Sequence, residues 1–132
     1  ELPHDQIPMG AEKLTARLIA DGIQPLIAHP ERNKHVIRNL DAIRPFVEMG
    51  CLLQVTSGSV IGAFGPPAQQ RAHELLAMGC VHILATDAHN INWRPPNLAE
   101  GREAAAMIVG EEESWAMVRD RPWHIARGHF ET

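Results

Sequence analysis

The sequence predicts an α/β fold built from three to four parallel strands with flanking helices. Three observations carry this. A helix, a glycine and a short strand follow one another three times. The three glycines, Gly22, Gly50 and Gly79, lie 28 and 29 residues apart, the length of one helix-strand unit of a parallel sheet. The strand segments are apolar throughout, as expected where helices cover both faces of a sheet.

In the first unit, Leu14 and Leu18 recur at helical spacing, Gly22 stops the helix, and Ile23 to Ala28 reads as a strand. In the second, Leu40, Ile43 and Val47 form the apolar stripe, Gly50 ends it, and Cys51 to Val55 follow as strand. Pro45 lies inside that helical pattern, so the helix is expected to kink or to start late. In the third, Ala68, Ala72, Leu75 and Leu76 form the stripe, Gly79 ends it, and Cys80 to Ala85 follow. At each glycine the periodicity switches from helical to a continuous apolar run. Glycine suits the left-handed residue just past a helix end. A polar loop, ATDAHNINWRPPN, comes next, then helical segments over Leu98 to Val109 and Glu111 to Arg119, and a tail, RPWHIARGHFET. No linker or low-complexity stretch divides the chain, so residues 1–132 are expected to be a single domain or part of one.

Composition narrows the function. Of 132 residues, 45% are hydrophobic and 21% charged, which excludes intrinsic disorder. The net charge of −4 argues against general nucleic-acid binding and leaves room for a small anion held by local arginines. No apolar run approaches the ~20 residues of a membrane helix, and no secretion signal opens the chain. Cys51 and Cys80 are too few for a disulfide scaffold, so a cytoplasmic location is expected. Both begin predicted strands, where cysteine usually serves as a small buried residue.

Each predicted strand ends at a polar residue: His29, Thr56 and Asp87. Chemistry in parallel α/β folds gathers at the carboxyl ends of the strands, so these three are expected on one rim. Asp87-Ala88-His89 offers a carboxylate and an imidazole two residues apart, a donor set that suits Zn, Mn or Fe. A capping Asp87 beside a solvated His89 is the plainer alternative. In His29-Pro30-Glu31-Arg32-Asn33, the proline is expected to hold His29 extended, and Arg32 carries a planar fork suited to phosphate oxygens. Two prolines after Arg94 stiffen its backbone. Ser57 or Ser59 is expected to cap the helix after the second strand. No GxSxG elbow, HCX5R pattern or GxxxxGK[ST] loop is present.

LIAHPERN, LLQVTSGSVIGAFG, ILATDAHN and RPP, in this order and spacing, resemble the polymerase-and-histidinol-phosphatase (PHP) superfamily of metallohydrolases. More narrowly, the chain is similar to the carboxy-terminal half of its bacterial protein-tyrosine phosphatases of capsular and exopolysaccharide synthesis. The resemblance implies part of a distorted (βα)7 barrel and a site of up to three divalent metal ions, manganese first, with Fe, Zn and Mg as alternatives. It implies Glu1, His29, Asp87 and His89 as metal ligands, and Arg32 and Arg94 as the catalytic arginines that hold the phosphoryl group. The implied substrate is a phosphotyrosine tail on an autokinase. A His-x-His motif and a further Glu and His of the family have no counterpart in residues 1–132. A closed barrel of such units takes roughly 200 residues or more, so the chain is expected to be part of a larger domain. With an open sheet edge, it is also expected to self-associate. Three alternatives stay open at this point: a phosphomonoesterase of the histidinol-phosphate type, a non-catalytic remnant that binds metal or a partner, and a plain α/β domain in which the motifs are coincidental.

Overall fold

The computed structural model describes residues 1–130; Glu131 and Thr132, the end of the predicted tail, lie outside them. Three parallel strands, β1 (Leu26–Ala28), β2 (Leu52–Thr56) and β3 (Ile83–Ala85), form one sheet in the order β1-β2-β3. Leu26 pairs with Leu52, and Gln54 with Ile83. The helices are α1 (Ala11–Ala20), α2 (Lys34–Arg38), α3 (Arg44–Glu48), α4 (Ser57–Val60), α5 (Pro66–Ala77), α6 (Ala99–Val109), α7 (Glu111–Trp115) and α8 (Arg121–Phe130). Among the described residues, no helix is long and apolar enough to cross a membrane.

The repeat read from the sequence is present. Gly22, Gly50 and Gly79 all have positive φ, at 81°, 88° and 72°. At the first two, the residue after the glycine closes the helix end, Ile23 N–H on Leu18 O and Cys51 N–H on Phe46 O. That six-to-one bond is the signature of a left-handed helix stop. The second and third helical stripes turn inward: Ile43, Phe46, Ala72, Leu75 and Leu76 pack with Leu53, Val55 and Leu84 of the strands in one buried cluster. The first does not, since α1 buries none of its residues fully and Leu14 is 62% exposed. Both cysteines are buried and free.

Several boundaries differ from the sequence reading, each for a local reason. Strand β1 starts at Leu26 because Pro25 has no N–H to give; Pro25 instead accepts from Leu52 N–H. Strand β3 starts at Ile83. Just before it, the His82 ring accepts Leu53 N–H on Nδ1 at 3.1 Å, taking the place of a ladder carbonyl. At Pro45 the late start allowed by the sequence is what occurs: a 3-10 turn over Leu40–Ile43 hands over to α3, with Pro45 in its first turn, where its missing N–H costs nothing. The tail is helical, with α7 running through a π-helical turn at Ala116–Asp120 into α8.

Candidate active site

The carboxyl ends of the three strands carry His29, Thr56 and Asp87, and the side chains of HPERN share the work of building the rim around them. His29 N–H continues the ladder by donating to Gln54 O, and Arg32 N–H turns back onto His29 O. Both bonds together force His29 into the left-handed region, φ 38° and ψ 53°. The extended backbone expected before Pro30 is therefore overridden. Among the described residues, Asp87 is the other non-glycine residue with positive φ, at 52°. Non-glycine residues pay for this conformation, and such strain clusters at functional sites.

Glu31 was not singled out by the sequence, yet it is completely buried. Its Oε1 accepts from Thr56 N–H at 2.9 Å and from Ser59 Oγ at 2.7 Å, so it clasps the end of β2 and α4 to the turn after β1. Burial drives its carboxyl above the ordinary range against those two hydrogen bonds. The serine capping expected in this segment is not found. Ser59 serves Glu31, Ser57 Oγ donates to Asn97 O at 3.2 Å, and no side chain caps α4. Asn33 caps α2 through Oδ1, while its Nδ2 donates to Pro3 O and Gln6 O at 2.7 and 3.2 Å. Asn33 thereby anchors the opening segment that carries Glu1.

That anchoring sets Glu1 Oε1 3.3 Å from His29 Nε2. His29 is 6% exposed, and the His4 ring stacks on it with centroids 5.4 Å apart. Nothing in the local sequence pattern around His4 marks this position. Burial first, and then the Arg32 charge, hold the His29 imidazole below its ordinary value, with Glu1 pulling the other way. A neutral ring leaves a lone pair for a metal.

Arg32 and Arg94 meet on one oxygen of Asp87. Arg32 Nη1 donates to Asp87 Oδ2 at 2.7 Å, and Arg94 Nη2 makes a close ion pair with the same atom. Burial pushes the Asp87 carboxyl up, but the Arg32 hydrogen bond and the two guanidinium charges outweigh it and hold the group ionised, below the usual range. Phe64 lies beneath both arginines, 4.1 Å from the Arg32 guanidinium carbon to the ring centroid and 5.5 Å from that of Arg94. A cation over an aromatic face is held by the ring quadrupole, so Phe64 is a platform for the pair. The 89–94 loop is tied together internally: Asn90 Oδ1 accepts from the N–H groups of Asn92, Trp93 and Arg94, and His89 N–H closes onto Arg94 O.

The residues expected at the site thus divide. Glu1 and His29 form one pair, and Arg32, Asp87 and Arg94 form an adjoining triad. Asp87 and His29 are close enough to influence each other's titration. His89 is exposed, and its Nδ1 faces the carbonyl oxygen of Asp87 at 2.7 Å. Among the described residues, no three His, Cys, Asp or Glu side chains are grouped tightly enough to enclose a metal ion. The donor types fit a divalent cation, since a neutral imidazole beside a carboxylate suits Mn, Zn or Fe; the number of convergent donors is that of a partial site.

The chain is 39% identical over 94 residues to the tyrosine-protein phosphatase YwqE of Bacillus subtilis, covering 71% of this chain and 37% of that protein. It is 32% identical over 109 residues to the tyrosine-protein phosphatase CpsB of Streptococcus pneumoniae, covering 79% of this chain and 45% of that protein. In structure it superposes with a TM-score of 0.85 and 32% identity on a chain from crystal structures of YwqE and CpsB, described as metal-dependent tyrosine phosphatases. That match covers 92% of this chain and 49% of the solved one. The chain thus spans about half, or less, of the length of the relatives it matches. Residues 7–127 match the model of the capsular polysaccharide synthesis family CpsB/CapC, and the chain belongs to that family.

Proposed function

We propose that this rim is the phosphoryl-binding part of a metal-dependent protein-tyrosine phosphatase acting in capsular polysaccharide synthesis. The observation that carries the proposal is the meeting of Arg32 and Arg94, 62 residues apart in the chain, on Asp87 at the mouth of the sheet. Two guanidinium forks aimed at one oxyanion position suit a phosphoryl group, whose equatorial oxygens gain from bidentate donors as charge shifts in the transition state. Glu1, His29 and Asp87, with His89 at the edge, would hold the cation, the remaining coordination coming from outside this set. A divalent ion there supplies Lewis-acid polarisation of the phosphoryl group and lowers the pKa of water; manganese is the expected ion.

In this scheme the incoming phosphoryl oxygens take the guanidinium N–H groups now bonded to Asp87. Phe64 and the Asn90-bonded loop keep both forks in place. Water displaces the tyrosyl oxygen in line at phosphorus. That oxygen is a fair leaving group, with a conjugate acid of pKa about 10, so no strong general acid is required; with water as the nucleophile, no phosphoenzyme is required either. The substrate is a phosphotyrosine on the tail of an autokinase.

The test is hydrolysis of phosphotyrosyl peptide by the full coding sequence that contains this chain, with added Mn and with excess chelator. Metal-dependent turnover that falls by roughly 10²-fold or more in Arg32→Ala is the expected result. Full activity in chelator, or an Arg32→Ala variant with unchanged kinetics, would refute the scheme.

A further inference from the structure

Beside the arginine pair lies a cleft of about 230 Å³ whose walls include Ile61, Ala63, Phe64, Trp93, Arg94 and Pro95. Its chemistry differs from that of the rim, because the walls are mostly apolar and aromatic. Two of the large side chains in it stand open to solvent, Trp93 at 87% and Ile61 at 42% exposure. Trp93 is nevertheless not on a loose loop, since its N–H is fixed on Asn90 Oδ1 at 2.6 Å. Arg94 belongs to both features: its guanidinium pairs with Asp87, and its side chain lines the cleft.

We propose that this cleft is the subsite for the aromatic ring of the phosphotyrosyl group, with Trp93 and Ile61 as its specificity-determining walls. This rests on the proposed phosphatase function and extends it to the choice of substrate. Continuity with the anion site fixes the occupant. Arg94 is shared by the anion site and the cleft, so the apolar slot is the space open beside Arg94 to the next atoms of a group whose phosphate sits on Arg32 and Arg94. An apolar cavity of about 150 Å³ is enough to take up benzene, so a phenyl ring fits. A phosphoserine methylene would leave the slot wet and Trp93 without a partner. Offset or edge-to-face contact with the indole adds to the burial of the ring.

The experiment titrates the full coding sequence that contains this chain, with Mn present, and two variants, Trp93→Ala and Ile61→Ser, with inorganic phosphate, phosphoserine and phosphotyrosine, the last two as non-hydrolysable phosphonate analogues, read by calorimetry. Both positions are exposed, so neither change threatens the fold. The expected result is phosphotyrosine binding about 10-fold tighter than phosphoserine. Trp93→Ala should remove most of that preference and Ile61→Ser part of it, with phosphate affinity unchanged in both. Equal affinity for phosphotyrosine and phosphoserine, with phosphate still bound, would overturn the subsite and leave the arginine clamp standing. A loss seen only with longer phosphotyrosyl peptides would assign the cleft to a flanking residue and also overturn it. Absence of phosphate binding in the unaltered chain would overturn the proposed function itself, and the subsite with it.

Discussion

Gly101, inside helix α6, tests how tightly the site's scaffold is packed. Replacing an exposed helical glycine by alanine stabilises by roughly 0.5–1 kcal/mol, because the unfolded chain has less freedom to lose. At Gly101 the opposing term is larger. A Cβ there would lie 2.4 Å from Ser57 Cβ, 2.7 Å from Ser57 O and 2.8 Å from Ser57 Cα. Carbon atoms rest about 3.5–4.0 Å apart, so the overlap is on the order of 1 Å. Two of the three atoms are backbone and cannot rotate away. Relief requires α6 to move off α4, at the upper end of the roughly 1–3 kcal/mol cost of overpacking or beyond. The net expectation for Gly101→Ala is a loss of roughly 2–2.5 kcal/mol or more. The control is Gly128→Ala, in α8, where a Cβ meets nothing within 4 Å; it should be neutral or stabilising by up to about 1 kcal/mol. Urea unfolding of the two variants and the parent reads both numbers. A Gly101→Ala chain as stable as the parent would refute the close approach of α6 to Ser57.

Three further outcomes follow from the same contacts. Glu31→Ala strips the partners from Thr56 N–H and Ser59 Oγ in a buried place and should cost about 3–5 kcal/mol, whereas Glu31→Gln keeps an acceptor oxygen and should cost much less; equal losses in urea unfolding would contradict the clasp. Burial, and then the Arg121 charge, hold the His82 ring below its ordinary value of 6.5. The unfolded state therefore binds that proton more readily, so this stability is complete above pH 6.5 and is lost as pH falls below it. His29 adds in the same direction; the unfolding midpoint of His82→Gln should fall less between about pH 8 and about pH 5.5 than that of the parent, and an equal fall would remove His82 from the account. Asn90→Ala frees three backbone N–H groups of the 89–94 loop. It should speed amide exchange at Trp93 and Arg94 by roughly 10-fold or more while leaving the β2 amides protected; unchanged exchange at Trp93 would show that something else holds the loop.

Much of the scaffold was legible because it rests on local rules. The spacing of Gly22, Gly50 and Gly79 fixes three helix-strand units, and parallel strands place His29, Thr56 and Asp87 at the same end. What escaped the sequence depends on partners distant in the chain. The left-handed turn at His29 comes from bonds to Gln54 and Arg32 that outweigh the influence of Pro30. Glu31 reads as a surface charge until α4 and β2 close over it. Ser57 and Ser59 look like caps and are instead recruited by Asn97 and Glu31. His4 gains its position over His29 only because Asn33 ties down the opening segment. The signal that was available is the density of HPERN: a buried acid between a rim histidine and a rim arginine, followed by an asparagine, has little reason to be a plain turn.

The central claim is that Glu1, His29 and Asp87 grip a divalent cation while Arg32 and Arg94 hold an oxyanion beside it. The most direct measurement is a crystal of this chain grown with Mn and inorganic phosphate, with the metal located by its anomalous scattering. The expected map has Mn in coordination contact with His29 Nε2 and at least one of the two carboxylates, and phosphate on both guanidinium groups. Mn only on surface histidines such as His35 or His124, with the Glu1–His29 pair untouched and no anion at Arg32 and Arg94, would contradict it.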